Sequence, residues 1–388
     1  MRVALWVALA HALNDAYAAF VPPLIPRMMD RAELTVSMGA TLLTIYFLAQ
    51  SLLQPVAGYL ADRYGRRAFV VAGPLMGGLF LATLGWAGTW VEMAVLLTLG
   101  GLGSALFHPP GASLAVRVTD GGKPGRRMSL FTFSGAAGFA SGPLIAVGAI
   151  ALLGERGLAW LMLPALLLTP VFWRNLPPDP SPTPEGDPVP GAAEVGRLLL
   201  GPLGLVFAIS ALSSFVQRAF LTFMPMVSAG DGRSEAVGAM ILTVYMVAQA
   251  FGSLTGGLLT DRVDRSRLLA VLTALTVPAH LAAFALPSGS TLGLAAAAIG
   301  GFLNMAIIPP VVILAQEAMP SGASIGSGIS MGLAWATGTL MLIPTGFLGD
   351  LVGPRAAALW VIPTLLIGTA LALHPSLRPQ RPIRASAG

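Results

Sequence analysis

Charged residues in this chain are gathered into short clusters, and the stretches between them are long and almost wholly apolar. About 20 such residues carry a helix across roughly 30 Å of hydrocarbon. Only 10% of the 388 residues are Asp, Glu, Lys or Arg, 55% are hydrophobic, and the mean hydropathy is +0.78. An ordinary soluble domain carries about 25% charge. Lipid offers no water to bare N–H and C=O groups, so the apolar stretches must satisfy their own backbone as helices. Breaking the sequence at its polar clusters gives twelve, near 4–28, 35–60, 68–89, 93–116, 128–153, 157–174, 199–227, 235–259, 268–287, 291–316, 323–348 and 354–373. The expected fold class is an all-α membrane protein with twelve transmembrane helices.

The chain also repeats itself. Gly58-Tyr-Leu-Ala-Asp-Arg-Tyr-Gly-Arg-Arg67 recurs in degraded form at Gly257-Leu-Leu-Thr-Asp-Arg-Val-Asp-Arg265, with Asp62 to Asp261, Arg63 to Arg262 and Arg66 to Arg265 each 199 residues apart. Tyr46 and Gln50 map to Tyr245 and Gln249 in the same register. Gly100-Gly101 with Pro109-Pro110 maps to Gly300-Gly301 with Pro309-Pro310 one residue later. Two related halves are therefore expected: a six-helix bundle over 1–175, a proline-dense linker over 176–196, and a second six-helix bundle with a short tail over 197–388. Internal repeats in an apolar chain mark secondary transporters, whose sites lie at the repeat interface near the bilayer midplane. The opening Met1-Arg2, Val3 to Ala10 and Ala10-His11-Ala12 also resemble a cleaved leader. Against that, the apolar run continues to Ile25, and cleavage would leave one half a helix short.

Short cytoplasmic loops are enriched in Lys and Arg. Placing both termini on that side puts sixteen of the 22 basic residues there and five (Arg27, Arg31, Arg156, Arg233, Arg355) on the outer face, with Arg218 inside a helix. The net charge of +5 follows from this distribution and suits anionic lipid headgroups on the cytoplasmic side rather than nucleic acid. The linker falls on that same side. Cysteine is absent, so no disulfide framework or thiolate chemistry is expected. No nucleotide loop, metal-spaced cluster or nucleophile elbow appears, so neither an enzyme, a cofactor nor a bound metal is expected.

Ionisable residues within the membrane are the candidates for chemistry, because a charge at the bilayer centre costs about 2.5–3.5 kcal/mol or more. Asp15 lies about 16 Å along its helix at 1.5 Å per residue, near the midplane. His11 is one turn earlier on the same face, and a carboxylate and an imidazole sharing a dry face can exchange a proton near neutral pH. The competing reading is a structural pair that fastens the helix to a neighbour. Asn14 points elsewhere and suits a packing hydrogen bond beside the cavity. His108 stands against Pro109-Pro110, expected to break the backbone ladder and expose carbonyls to a cavity; a core histidine is the alternative. Arg218, always charged, needs a partner. Aligning Pro22 with Pro225 sets it opposite Asp15, whereas counting from Arg197 brings it near the outer surface, where it would snorkel. In the charged turn, Gly58 permits close packing, Gly65 a tight turn, and Asp62, Arg63, Arg66 and Arg67 form a candidate latch with Asp261, Arg262 and Arg265. Asp264 replaces Gly65 in the second copy, which weakens that latch. Glu317 ends its helix at the inner face as a hinge or ion-pair member, and Glu92 sits favourably at a helix start. His280 and His374 look incidental. Gly138, Gly142 and Pro143 give the fifth helix a small-residue face.

The turn Gly58-Tyr-Leu-Ala-Asp-Arg-Tyr-Gly-Arg-Arg67 resembles the loop 2–3 signature of the major facilitator superfamily. His11-Ala-Leu-Asn-Asp15, Ser51-Leu-Leu-Gln-Pro-Val-Ala-Gly58, Gly103-Ser-Ala-Leu-Phe-His-Pro109 and Ala315-Gln-Glu-Ala-Met-Pro320 resemble, more narrowly, its fosmidomycin-resistance family of efflux proteins. That resemblance implies two pseudo-symmetric six-helix bundles in a bacterial plasma membrane, alternating access, and export of a small molecule against a proton gradient. It implies a phosphonate-like anion as substrate, which Arg218 would contact. Gly135, Gly138 and Gly142 with Pro143 are similar to the antiporter signature on that helix. One departure matters: many drug–proton antiporters carry an arginine midway along helix 4, where this chain has Leu97, so a scheme that requires it cannot operate. The expected function is a drug– or metabolite–proton antiporter acting as a monomer, with Asp15 and His11 carrying protons. Proton-coupled uptake of an organic anion, or a non-transporting membrane sensor, are the alternatives.

Overall fold

In the computed structural model, residues 2–117, 124–178, 196–197, 199–260, 262–318 and 328–377 are described. Most of the 176–196 linker, Asp261, and the side chains of Asp62 and Arg63 lie outside the described set. Among the described residues every regular element is a helix, and twelve helical spans are long and apolar enough to cross a membrane. They are span 1 (Val3–Ala32), 2 (Val36–Gly58), 3 (Arg66–Trp86), 4 (Trp90–Ala115), 5 (Leu130–Leu153), 6 (Glu155–Asn175), 7 (Pro202–Gly230), 8 (Glu235–Thr260), 9 (Arg265–Ala285), 10 (Thr291–Ala315), 11 (Ile329–Val352) and 12 (Pro354–Ala372).

Several spans are interrupted where proline removes a backbone donor. In span 1 the helix Arg2–Ala18 gives way to Val21–Ala32 ahead of Pro22 and Pro23. Pro22 cannot donate to the Ala18 carbonyl, and Tyr46 from span 2 supplies the missing hydrogen from its hydroxyl at 2.7 Å. Span 10 breaks at Ile307, before Pro309. Its repeat mate does not. Pro109 and Pro110 were expected to break the fourth helix, yet one α-helix runs from Trp90 to Arg117 through both. The His108 ring meets the Ser104 carbonyl one turn back.

The sequence repeat is a structural repeat. A Cβ added to Gly101 would meet the Tyr46 carbonyl oxygen at 2.9 Å, and one added to Gly301 would meet that of Tyr245 at 2.5 Å, so spans 2 and 4 and spans 8 and 10 cross in the same close manner. Gly138 and Gly142 lie against the carbonyls of Ala12 and Ala16, fastening span 5 to span 1, and Gly338 lies likewise against the Ala211 carbonyl between spans 11 and 7. The charged turns differ for a stated reason. Gly65 has φ 107°, a region closed to most side chains, whereas Asp264 turns at φ −59° and accepts from the Arg267 amide at 2.8 Å, capping the next helix.

Among the described residues, apolar packing joins the halves at one end only. One cluster runs from Tyr17, Phe20 and Met28 through Ala146 and Ile150 to Phe220, Met224, Leu242 and Tyr245. At the opposite end two separate clusters form, one around Phe107, Phe131 and Phe172 in the first half and one around Val206, Leu269 and Val311 in the second. Span 1 meets span 7, span 2 meets span 11, and span 5 meets span 8 across the boundary.

Candidate functional site

Three side chains meet inside the first half. Asp15 on span 1 stands between His11, one turn before it, and His108 on span 4. His11 Nε2 lies 3.2 Å from Asp15 Oδ2, and His108 Nε2 lies 3.3 Å from Asp15 Oδ1. Asn14 donates its amide to the same Oδ1 at 3.0 Å. The group is largely enclosed, with the Asp15 side chain 14% exposed. Phe131 stacks on His11 with ring centroids 3.9 Å apart, and the two imidazoles meet edge to face. Gly135 makes room for this: any Cβ there would run into the His11 ring.

The outer nitrogens of both rings are committed elsewhere. His11 Nδ1 lies 2.7 Å from the Phe131 carbonyl oxygen, and His108 Nδ1 lies 2.8 Å from the Ser104 carbonyl oxygen. A carbonyl only accepts, which favours the Nδ1–H tautomer in each ring, with the Ser104 hydroxyl a second neighbour of His108 Nδ1 at 3.2 Å, and each Nε2 lies toward the carboxylate. Three potential ligand atoms within 4.8 Å of one another have the spacing of a cation site. Each imidazole nonetheless faces a different carboxylate oxygen rather than one common point, and that arrangement suits shared protons.

Arg218 lies in the second half but reaches across the boundary. It is 7% exposed, so it does not snorkel to a surface. Its guanidinium carbon sits 4.0 Å from the centre of the Phe47 ring on span 2 and 5.6 Å from that of Trp335 on span 11. Among the described residues no carboxylate pairs with it, and neither its Nε nor the Trp335 indole N–H finds an acceptor. This cation is thus desolvated and flanked by aromatic faces.

Other expected residues are placed as follows. Arg67 lies over the Trp173 ring at 4.2 Å, within the first half. Arg265 pairs with Glu317, within the second. Arg66 is buried and Arg262 is exposed. The Arg67 and Arg265 contacts each stay within one half. The bridge stands at the opposite end, in residues that the sequence marked only as topology signals. Arg27 of span 1 donates through Nε and Nη2 to both oxygens of Glu235 on span 8, at 2.6 and 2.9 Å. It also donates to Glu155, which Arg31 holds in turn at 2.9 Å. The Ser37 amide donates to Asp350 across the same boundary at 3.0 Å. Asp231 binds Ser288 and Arg355 beside this network. Burial pushes the Asp231 carboxyl up, but the Ser288 hydrogen bonds and the Arg355 guanidinium outweigh it and hold the group below the usual carboxylate range. His280, which looked incidental, is buried and bridges the Thr276 carbonyl and the Tyr245 hydroxyl.

Comparison with known proteins agrees with this architecture. The family model of the Major Facilitator Superfamily matches residues 7–330. The chain is 28% identical over 359 residues to the fosmidomycin resistance protein of Escherichia coli (strain K12), covering 89% of this chain and 85% of that one. It is 26% identical over 371 residues to the uncharacterized MFS-type transporter YfnC of Bacillus subtilis (strain 168), covering 92% and 90%. Among solved structures, a bacterial homolog of the human lysosomal transporter Spinster, inward-facing and occupied, superposes with a TM-score of 0.78 at 16% identity, covering 95% of each chain.

Proposed function

Since the chain belongs to the Major Facilitator Superfamily and is thereby a multi-pass membrane transporter and not an enzyme, we propose that it exports a small anionic molecule in exchange for protons by alternating access. The observation that carries this reading is the enclosed group of Asp15, His11 and His108. Three titratable side chains in one half, each within hydrogen-bond reach of a neighbour, form a place to hold and release protons at membrane depth. Arg218, flanked by Phe47 from the other half and by Trp335, is the anion contact, and substrate bound there would touch both halves at once.

In this reading the substrate is phosphonate-like, as the fosmidomycin resistance relative suggests. The bundles are 1–175 and 197–388, joined by the 176–196 linker on the cytoplasmic side together with both termini, in a bacterial inner membrane with anionic headgroups facing the basic loops. The protein acts as a monomer. The joined end is then periplasmic and the divided end cytoplasmic, so the conformation described here faces inward. The turn at Gly58, Gly65 and Arg67, with its second copy at Arg265, is the latch of the opposite state. The contacts of Arg67 with Trp173 and of Arg265 with Glu317, each within one half, support that role.

Everted membrane vesicles with an imposed pH gradient test the proposal, with labelled fosmidomycin as probe. Exchange predicts accumulation in an acid lumen that collapses with the gradient. Loss of preloaded probe from the acid lumen would instead mean proton-coupled uptake, and indifference to the gradient would sink proton coupling altogether.

A further inference from the structure

We propose that the cluster binds two protons at once, with His108 as a second proton carrier beside His11, so that each transport cycle exchanges two protons. This inference rests on the proton-exchange reading above and adds its count.

The argument is one of hydrogen accounting. Both Nδ1 atoms face backbone carbonyls, which supply no hydrogen, so each Nδ1 must keep its own. A neutral imidazole then presents a bare Nε2. Here both Nε2 atoms stand 3.2 and 3.3 Å from carboxylate oxygens, which are acceptors as well. Lone pair would face lone pair twice over at hydrogen-bond distance, unless each gap holds a proton. The two gaps are separate, one at Oδ2 and one at Oδ1, so one proton cannot close both. The balance is direct: a carboxylate with two neutral imidazoles, net charge −1, takes up two protons and becomes a carboxylate between two imidazolium ions, net charge +1. Release returns both protons to water and reverses the charge.

Among the described residues one further donor is near: the Ser104 hydroxyl lies 3.2 Å from His108 Nδ1, but the Ser104 carbonyl is closer at 2.8 Å and only accepts, so that Nδ1 keeps its hydrogen. Asn14 donates to Oδ1 but to neither ring. Span 5 presents Phe131 and Gly135, and span 3 presents Gly73 against Asn14, none of them titratable. The Tyr46 hydroxyl on span 2 is directed to the Ala18 carbonyl. Tyr17 on span 1 donates to the Leu161 carbonyl. Arg218, from the second half, is held against Phe47 and Trp335.

The chain has four histidines, which makes the test tractable. Full-length protein labelled with 15N-histidine, in lipid nanodiscs, is followed by NMR from about pH 4 to 9, a range bracketing the ordinary histidine value, with His280→Gln and His374→Gln assigning the other two rings. The expected result is that His11 and His108 both begin as Nδ1–H tautomers at high pH and both gain a hydrogen on Nε2 as pH falls. A proton count by potentiometric titration should show one proton fewer for His108→Gln. If only one ring is ever doubly protonated, or either ring carries its neutral hydrogen on Nε2, the two-proton count is wrong even where vesicle flux follows the pH gradient. If flux ignores the gradient, the transport reading itself has failed.

Discussion

Asp15 holds its neighbours through geometry that a single atom decides. Asp15→Asn keeps the shape but puts an amide where a carboxylate must accept from two rings. Flux driven by a pH gradient should vanish in that variant, while flux down a probe gradient in its absence persists; equal gradient-driven flux in both proteins would remove Asp15 from the mechanism. Arg218→Ala and Arg218→Lys should both weaken fosmidomycin export, Lys less, because an ammonium keeps the charge but not the planar fork. Normal export by both would clear the arginine of an anion role. Asp15, His11 and Arg218 were legible in the sequence because ionisable residues in apolar helices are costly and few, and the spacing of four set the first two on one face. The partners that orient them were not. Phe131 and Ser104 act through backbone carbonyls, which every residue has, and Phe47 reaches Arg218 from a helix some 170 residues away in the chain, so only tertiary structure pairs them.

The spans themselves follow from apolar length, and their crossings from glycine. Gly138 has the Ala12 carbonyl where a side chain would be. Gly138→Val should overpack the contact between spans 5 and 1 and cost about 1–3 kcal/mol, read as a lower melting temperature; an unchanged one would show that span 5 is free to move aside. The joined end is held by Arg27 and Glu235, both partly exposed. Breaking such a pair with Glu235→Gln is worth about 1 kcal/mol, a roughly fivefold shift toward the state open at that end. Spin-label distances across the joined end should lengthen in part of the population, and a distribution identical to wild type would show that the apolar cluster alone closes it. This network was illegible for a physical reason. Arg27, Glu155 and Glu235 sit near the ends of three separate spans, and each alone reads as an ordinary flanking charge. Pro109-Pro110 misled in the opposite direction, since local backbone chemistry argues for a break that packing overrides.

At the scale of the whole molecule, one apolar cluster spans both halves at one end and two clusters stand apart at the other. Under the alternating access proposed above, the halves share a seam that must open as the other end closes. The repeat made the halves legible, but two equal halves are compatible with either end being shut, and only the side-chain packing says which is. Acid should loosen the outer loops of the second half through Asp231, which lies outside the spans and holds Ser288 and Arg355. Its folded value is depressed, so its contribution is complete above the unfolded value of about 3.9 and is lost as pH falls through the lower folded value. The melting difference between wild type and Asp231→Asn should therefore shrink below about pH 4, and a constant difference down to pH 3 would deny the carboxylate that role.

Reconstituted liposomes with a trapped pH dye give the most direct view of exchange. Loaded with the compound that most raises the melting temperature in a screen headed by fosmidomycin, they are diluted into compound-free buffer at equal pH. Outward movement of the compound should acidify the lumen in wild type and leave it unchanged in Asp15→Asn. Brisk efflux from wild type at a steady lumen pH would contradict proton exchange through this cluster.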